Sequence, residues 1–114
     1  MSAPDTHPPQ LELRRYHAVS GRYEALLDRF EQHTLGLFTR HHMTSLGYWT
    51  PENEPDVLVY LLRHDGDPTE NWAAFQDDPE WQRVKELTTA DGPLTVSIES
   101  TFLRETRLNE SLPA

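Results

Sequence analysis

The sequence predicts an α+β domain whose four-stranded antiparallel sheet carries its helices on one face. Three observations lead there. Four short runs are apolar throughout or alternate with a period of two, as strands do. Two stretches repeat apolar residues at three- and four-residue steps, as amphipathic helices do. The runs follow one another as β-α-β-β-α-β, the ferredoxin-like order.

Residues 1–10 carry three prolines and no periodicity and read as a disordered tail. Leu11 to His17 alternates, with Leu11, Leu13 and Arg15 on one side and Glu12, Arg14 and Tyr16 on the other. Ser20-Gly21 then opens a helix that runs to about His42. Its face is built from Tyr23, Leu26, Leu27, Phe30, Leu37 and Phe38, and is interrupted at His33 and Thr34. Met43 to Thr50 is a second strand, stopped by Pro51, and Glu52 to Pro55 is a loop. Val57 to Arg63 is almost wholly apolar and reads as a strand buried on both faces.

Asp65-Gly66-Asp67-Pro68 turns the chain into a short helix, Thr69 to Gln76. Asp78 followed by Pro79 is an N-cap with proline at the first helical position, so a second helix starts there, with Trp81, Val84 and Leu87 at three-residue steps. Asp91-Gly92-Pro93 ends it. Leu94 to Leu103 is the last strand, with Leu94, Val96, Ile98 and Phe102 on one face and Thr95, Ser97, Glu99 and Thr101 on the other. The sequence divides into a tail (1–10), a folded domain (11–106) and an extended C-terminal tail (107–114). Helices on one face leave the other face of the sheet uncovered, and its apolar residues call for a partner. A second copy is the simplest one, so a homodimer is expected.

Composition narrows the function. The 114 residues make one domain. There is no cysteine, which excludes disulfides, thiolate metal sites and cysteine nucleophiles. No apolar run is long enough to span a membrane, and the N-terminus has no apolar signal core, so a cytoplasmic protein is expected. A net charge of −9 without a basic stripe argues against nucleic acid. Glycine-rich phosphate loops, His-Glu-x-x-His pairs and Gly-x-Ser-x-Gly elbows are absent. His33 and His41 are eight residues apart, about 12 Å along a helix, too far to share an ion, so no metal site is expected.

At this point the residues resemble a known family. Glu12-Leu13-Arg14-Arg15-Tyr16, Arg29-Phe30-Glu31-Gln32-His33-Thr34-Leu35, Gly47-Tyr48-Trp49-Thr50-Pro51, Tyr60-Leu61-Leu62-Arg63-His64, Asn71-Trp72-Ala73-Ala74-Phe75, Asp78-Pro79-Glu80-Trp81 and Val96-Ser97-Ile98-Glu99-Ser100 are similar, in order, to segments of the NIPSNAP family. The chain departs from that pattern at His42, where relatives often carry glycine. The resemblance implies a dimeric α+β barrel with a cavity in each protomer or between them. The wider superfamily includes cofactor-free oxygenases, cyclases, isomerases and haem enzymes, so the fold does not decide the reaction.

Candidate site residues follow from chemistry and placement. Arg14 is expected beside Glu99, either holding an anion or carbonyl or forming a structural ion pair across strands. His33, interrupting an apolar helix face, is a candidate base or a hydrogen-bonded core histidine. His64 shares a strand face with Tyr60 and is a candidate acid/base, or else a strand-end cap. Tyr16, Tyr48, Trp49, Tyr60 and Trp72 are candidates to line a ligand pocket, or to be core. The functional expectation is a homodimer that binds a small apolar or aromatic metabolite in its barrel. It would act without a tightly bound cofactor, as a cyclase, isomerase or oxygenase. The alternative is a non-catalytic interaction or regulatory dimer.

Overall fold

The computed structural model describes residues 10–111. The proposed tail lies outside that range except for Gln10, which opens the first strand opposite His64. The strands are β1 (Gln10–Ala18), β2 (Met43–Trp49), β3 (Val57–His64) and β4 (Thr95–Leu103). They form one antiparallel sheet in the order β2-β3-β1-β4, with β1 and β3 at its centre. The helices are α1 (Tyr23–Arg29), α2 (Leu35–Arg40), α3 (Pro68–Asp77) and α4 (Pro79–Thr88). No helix among the described residues is long and apolar enough to cross a membrane.

The long first helix is continuous but not uniformly α-helical. α1 passes through a π-helical turn (Phe30–Thr34) into α2. The wider turn adds a residue to the ladder, and Thr34 Oγ1 bonds back to the carbonyl of Arg29 at 3.3 Å. It lets Phe30, Thr34, Leu37 and Phe38 all bury on one side, which explains the interruption in the α-helical stripe. α2 ends at Arg40, and just beyond it His42 takes a left-handed φ of 65°. The two later helices start on side-chain caps, Asp67 accepting from Thr69 N at 2.9 Å and Asp78 from Glu80 N at 2.8 Å.

The core is aromatic. Tyr16, Phe30 and Tyr60 meet edge-on or tilted at 5.3–5.4 Å. Phe38, Phe75 and Trp81 continue the cluster, Phe38 lying 5.4 Å from Phe75 and Phe75 4.8 Å from Trp81. Leu87, placed on the apolar stripe by spacing, instead points to solvent.

β1 turns its polar set inward. Glu12 and Tyr16 are buried on the helix side, where they pair with Leu62 and Leu58 of β3. Leu11 and Leu13 face the open side with Leu61, Val59 and Leu103, and β3 is therefore closed on one face only within a single chain. The C-terminal segment is not simply extended. Residues Arg107–Ser111 form a 3-10 turn, started by Thr106, whose hydroxyl accepts from Leu108 N at 3.2 Å.

Candidate functional site

A carboxylate organises the centre of the sheet. Glu12 accepts from His64 Nε2 at 2.7 Å, Trp72 Nε1 at 2.8 Å and Arg14 Nη1 at 2.8 Å, and from the Ser100 hydroxyl. Burial alone would raise its pKa. The hydrogen bonds outweigh burial and hold it at about 2. Glu12 is therefore a buried anion.

The tautomer of His64 follows from its neighbours. Asn71 Nδ2 donates to the carbonyl of Asp65 at 3.1 Å, which fixes the orientation of the amide. The same nitrogen lies 3.2 Å from His64 Nδ1, so Nδ1 accepts. The ring proton must then sit on Nε2 and point at Glu12.

Arg14 is tied in the same way. Its Nε donates to Tyr60 Oη at 3.0 Å and its Nη2 to Tyr16 Oη at 3.2 Å, and its guanidinium lies 4.2 Å over the Trp72 ring. Burial works against its charge, but Tyr16, Tyr60 and Glu12 outweigh it and hold its pKa above the ordinary value. Burial likewise pushes the Tyr60 hydroxyl well up, so it stays protonated. Having accepted from Arg14, Tyr60 donates to Tyr16 Oη at 2.9 Å. Tyr16 Oη thus accepts twice and donates to no described group.

Tyr16 and Arg14 open onto a cavity of about 250 Å³ between the sheet and the helices of the same chain. Phe30, Thr34 and Phe38 wall it from the first helix, Trp72 and Phe75 from α3, and Trp81 from α4. Among the described residues, no aspartate, glutamate or histidine lines it, and the charged ones are Arg14, Arg29 and Lys85. No group of three or more candidate metal-binding side chains occurs among the described residues.

The NIPSNAP family model matches residues 11–108. The chain belongs to the NIPSNAP family. Solved structures place its fold beside a NIPSNAP family protein of unknown function from Agrobacterium tumefaciens, 21% identical, with a TM-score of 0.74 over 90% of this chain and 92% of that one. An uncharacterised NIPSNAP domain protein from Burkholderia xenovorans is 22% identical, with a TM-score of 0.69 over 86% and 95%. A candidate antibiotic biosynthesis monooxygenase from Nitrosomonas europaea, 9% identical, shares the fold at a TM-score of 0.59 over 84% and 97%. No curated protein matches the chain.

The residues singled out in this NIPSNAP sequence are only partly brought together. Arg14, Tyr16 and Trp72 line the cavity. Tyr60 and His64 lie fully buried beside them, bonded to Tyr16 and Glu12 respectively. Tyr48 stacks on Tyr60 at 5.1 Å and is hydrogen-bonded with Ser45, away from the cavity. Trp49 is on the open side, 56% exposed, with its ring lying across Gly47, where a Cβ would meet it at 2.5 Å. His33 sits half-buried in the π-helical turn, outside the cavity wall.

The expected Arg14–Glu99 pair does not form. Glu99 is paired in register with Arg15, so its side chain emerges on the open face, 2.6 Å from His17 and 3.7 Å from Arg15. The carboxylate that holds Arg14 is Glu12, two residues away on its own strand. Sequence reasoning also passed over Arg29. The signal was present: Arg29 and Phe30 lie three and four residues beyond Leu26, so a cation occupies the apolar stripe.

Proposed function

We propose that this NIPSNAP chain is a homodimer that binds a small aromatic molecule in the cavity between its sheet and helices. Tyr16 polarises a carbonyl or phenolic oxygen of that molecule. One observation carries the reading: Tyr16 lines the cavity, and its hydroxyl receives Arg14 Nη2 and Tyr60 Oη while donating to no described group. A hydroxyl polarised by two donors is a stronger donor itself. It is suited to an oxygen that gathers negative charge during reaction. Cyclisation, isomerisation and oxygenation of an electron-rich ring all pass through such enolate- or phenolate-like states. The Nitrosomonas europaea neighbour, a candidate monooxygenase, is compatible with that class.

In this reading His64 is a positioning residue. Both its nitrogens are engaged, and it holds Glu12, which holds Arg14, which holds Tyr16. His33 and Glu99 lie outside the cavity wall. Among the described residues the cavity wall carries no acid or imidazole, which favours binding and polarisation over proton abstraction by the protein. It also gives weight to a non-catalytic carrier as the second reading. The dimer rests on the open face of the sheet, where Leu11, Leu13, Val59 and Leu61 are only half-buried and Trp49 and Leu103 are exposed.

Trp72 and Trp81 line the cavity, so binding can be followed by their fluorescence. Titration with 1-tetralone, a neutral aryl ketone, is expected to give a saturable change. Tyr16→Phe should weaken it about fivefold, the loss of one hydrogen bond, with the circular dichroism spectrum unchanged. A linear, unsaturable response in the wild type, or equal affinity in the variant, would remove the proposal.

A further inference from the structure

The cavity's charge does not match that of the protein around it. The chain carries −9, yet among the described residues the cavity wall holds Arg14, Arg29 and Lys85 and no acid. Arg14 is neutralised by Glu12. Neither Arg29 nor Lys85 has a carboxylate partner among the described residues.

Arg29 is the sharper case. It is 8% exposed, its Nη1 makes one long bond to Thr88 Oγ1 at 3.4 Å, and its Nε has no partner. Its guanidinium lies 5.2 Å from the Trp81 ring centre. Trp81 is also 8% exposed, and its Nε1 is likewise unpartnered. Both residues line the cavity, and each carries a closed-off donor without an acceptor among the described residues, one of them on a cation. Leaving such donors dry is costly, and charged ones more so.

We infer that the natural ligand bears a carboxylate, seated against the Arg29 guanidinium while its ring fills the aromatic cavity. This rests on the cavity being the ligand site. A planar carboxylate matches the fork of a guanidinium. The remaining oxygen function of the ligand is left to Tyr16. The substrate class is thus an aromatic acid with a carbonyl or phenolic oxygen, small enough for a cavity of about 250 Å³. Burial depresses the pKa of Arg29, a cost that a bound anion relieves.

The test uses two probes with the same rings, 1-naphthoate and 1-naphthamide, titrated calorimetrically at pH 7 into the full chain. Naphthoate is expected to bind about tenfold or more tightly, the scale of a charge-assisted hydrogen bond. Arg29→Gln should bring the two constants together. Arg29→Lys, which keeps the charge and removes the fork, should weaken naphthoate by about fivefold and naphthamide less. If Arg29→Gln fails to fold, the wild-type preference and Arg29→Lys decide. Equal affinities in the wild type would overturn the carboxylate and leave the aromatic site standing. Binding of neither probe would overturn both.

Discussion

His64 Nε2 donates to Glu12 Oε1 at 2.7 Å, and the two side chains are 0% and 1% exposed. A buried anion is therefore held in place by a histidine whose other nitrogen is held by Asn71. From Glu12 the bonds run through Arg14 to the hydroxyls of Tyr60 and Tyr16. Tyr16 on the cavity wall is thus fixed, through Arg14, by Glu12 and His64, which lie behind that wall.

Acid should loosen this network. The Glu12 pKa is lowered from 4.5 to about 2 on folding, so the folded state binds the proton more weakly than the unfolded one. The stabilisation is complete above the unfolded value and is lost as pH falls from 4.5 towards 2. It amounts to on the order of 3 kcal/mol. Urea unfolding from pH 6 to pH 2.5 should show that decline in the wild type and a shallower one in Glu12→Gln. The variant should already be about 2–4 kcal/mol less stable at pH 6, because its amide meets donors arranged for a carboxylate. Parallel pH profiles would show that Glu12 does not carry the effect.

His42 offers a stabilising change. Its φ of 65° places a side chain in the left-handed region that glycine occupies without strain. His42→Gly should gain about 1 kcal/mol, less the entropy glycine adds to the unfolded chain. Thermal unfolding reads it directly, and a lower Tm than wild type would show that the His42 side chain contributes more than its backbone costs.

The open face of the sheet should be where two copies meet. Leu13 lies at its centre, paired with Leu61 on one side and Thr101 on the other. Sedimentation is expected to give twice the chain mass of 13.2 kDa, and Leu13→Glu should give the single mass with the helical spectrum retained. A wild-type monomer at micromolar concentration would end the dimer reading. A dimer untouched by Leu13→Glu would move the interface elsewhere.

The order of elements was legible because period and punctuation are local properties. Asp78 caps its helix where the Asp78-Pro79 pair announced it, and Asp67, expected only in a turn, caps the helix before it. The inward side of β1 was not legible, since Leu11 and Leu13 look like core while Glu12 and Arg14 look like surface. The donors that reverse this, His64, Trp72 and Ser100, come from three other segments. Arg14 was picked out as a site residue, but its partner was misread, because Glu99 and Ser100 exchange faces with a single step along β4. The gap at His33 and Thr34 was visible as an interruption. That it is a π-helical turn, which puts Thr34 on the cavity wall, depends on the packing of Phe30 and Phe38 around it.

The most direct measurement is a crystal structure of the chain grown with 1-tetralone. The ketone is expected between the sheet and the helices, its oxygen about 3 Å from Tyr16 Oη, with Trp72 and Trp81 against its rings. A cavity closed by side chains, with the ketone instead on the open face of the sheet, would contradict the account.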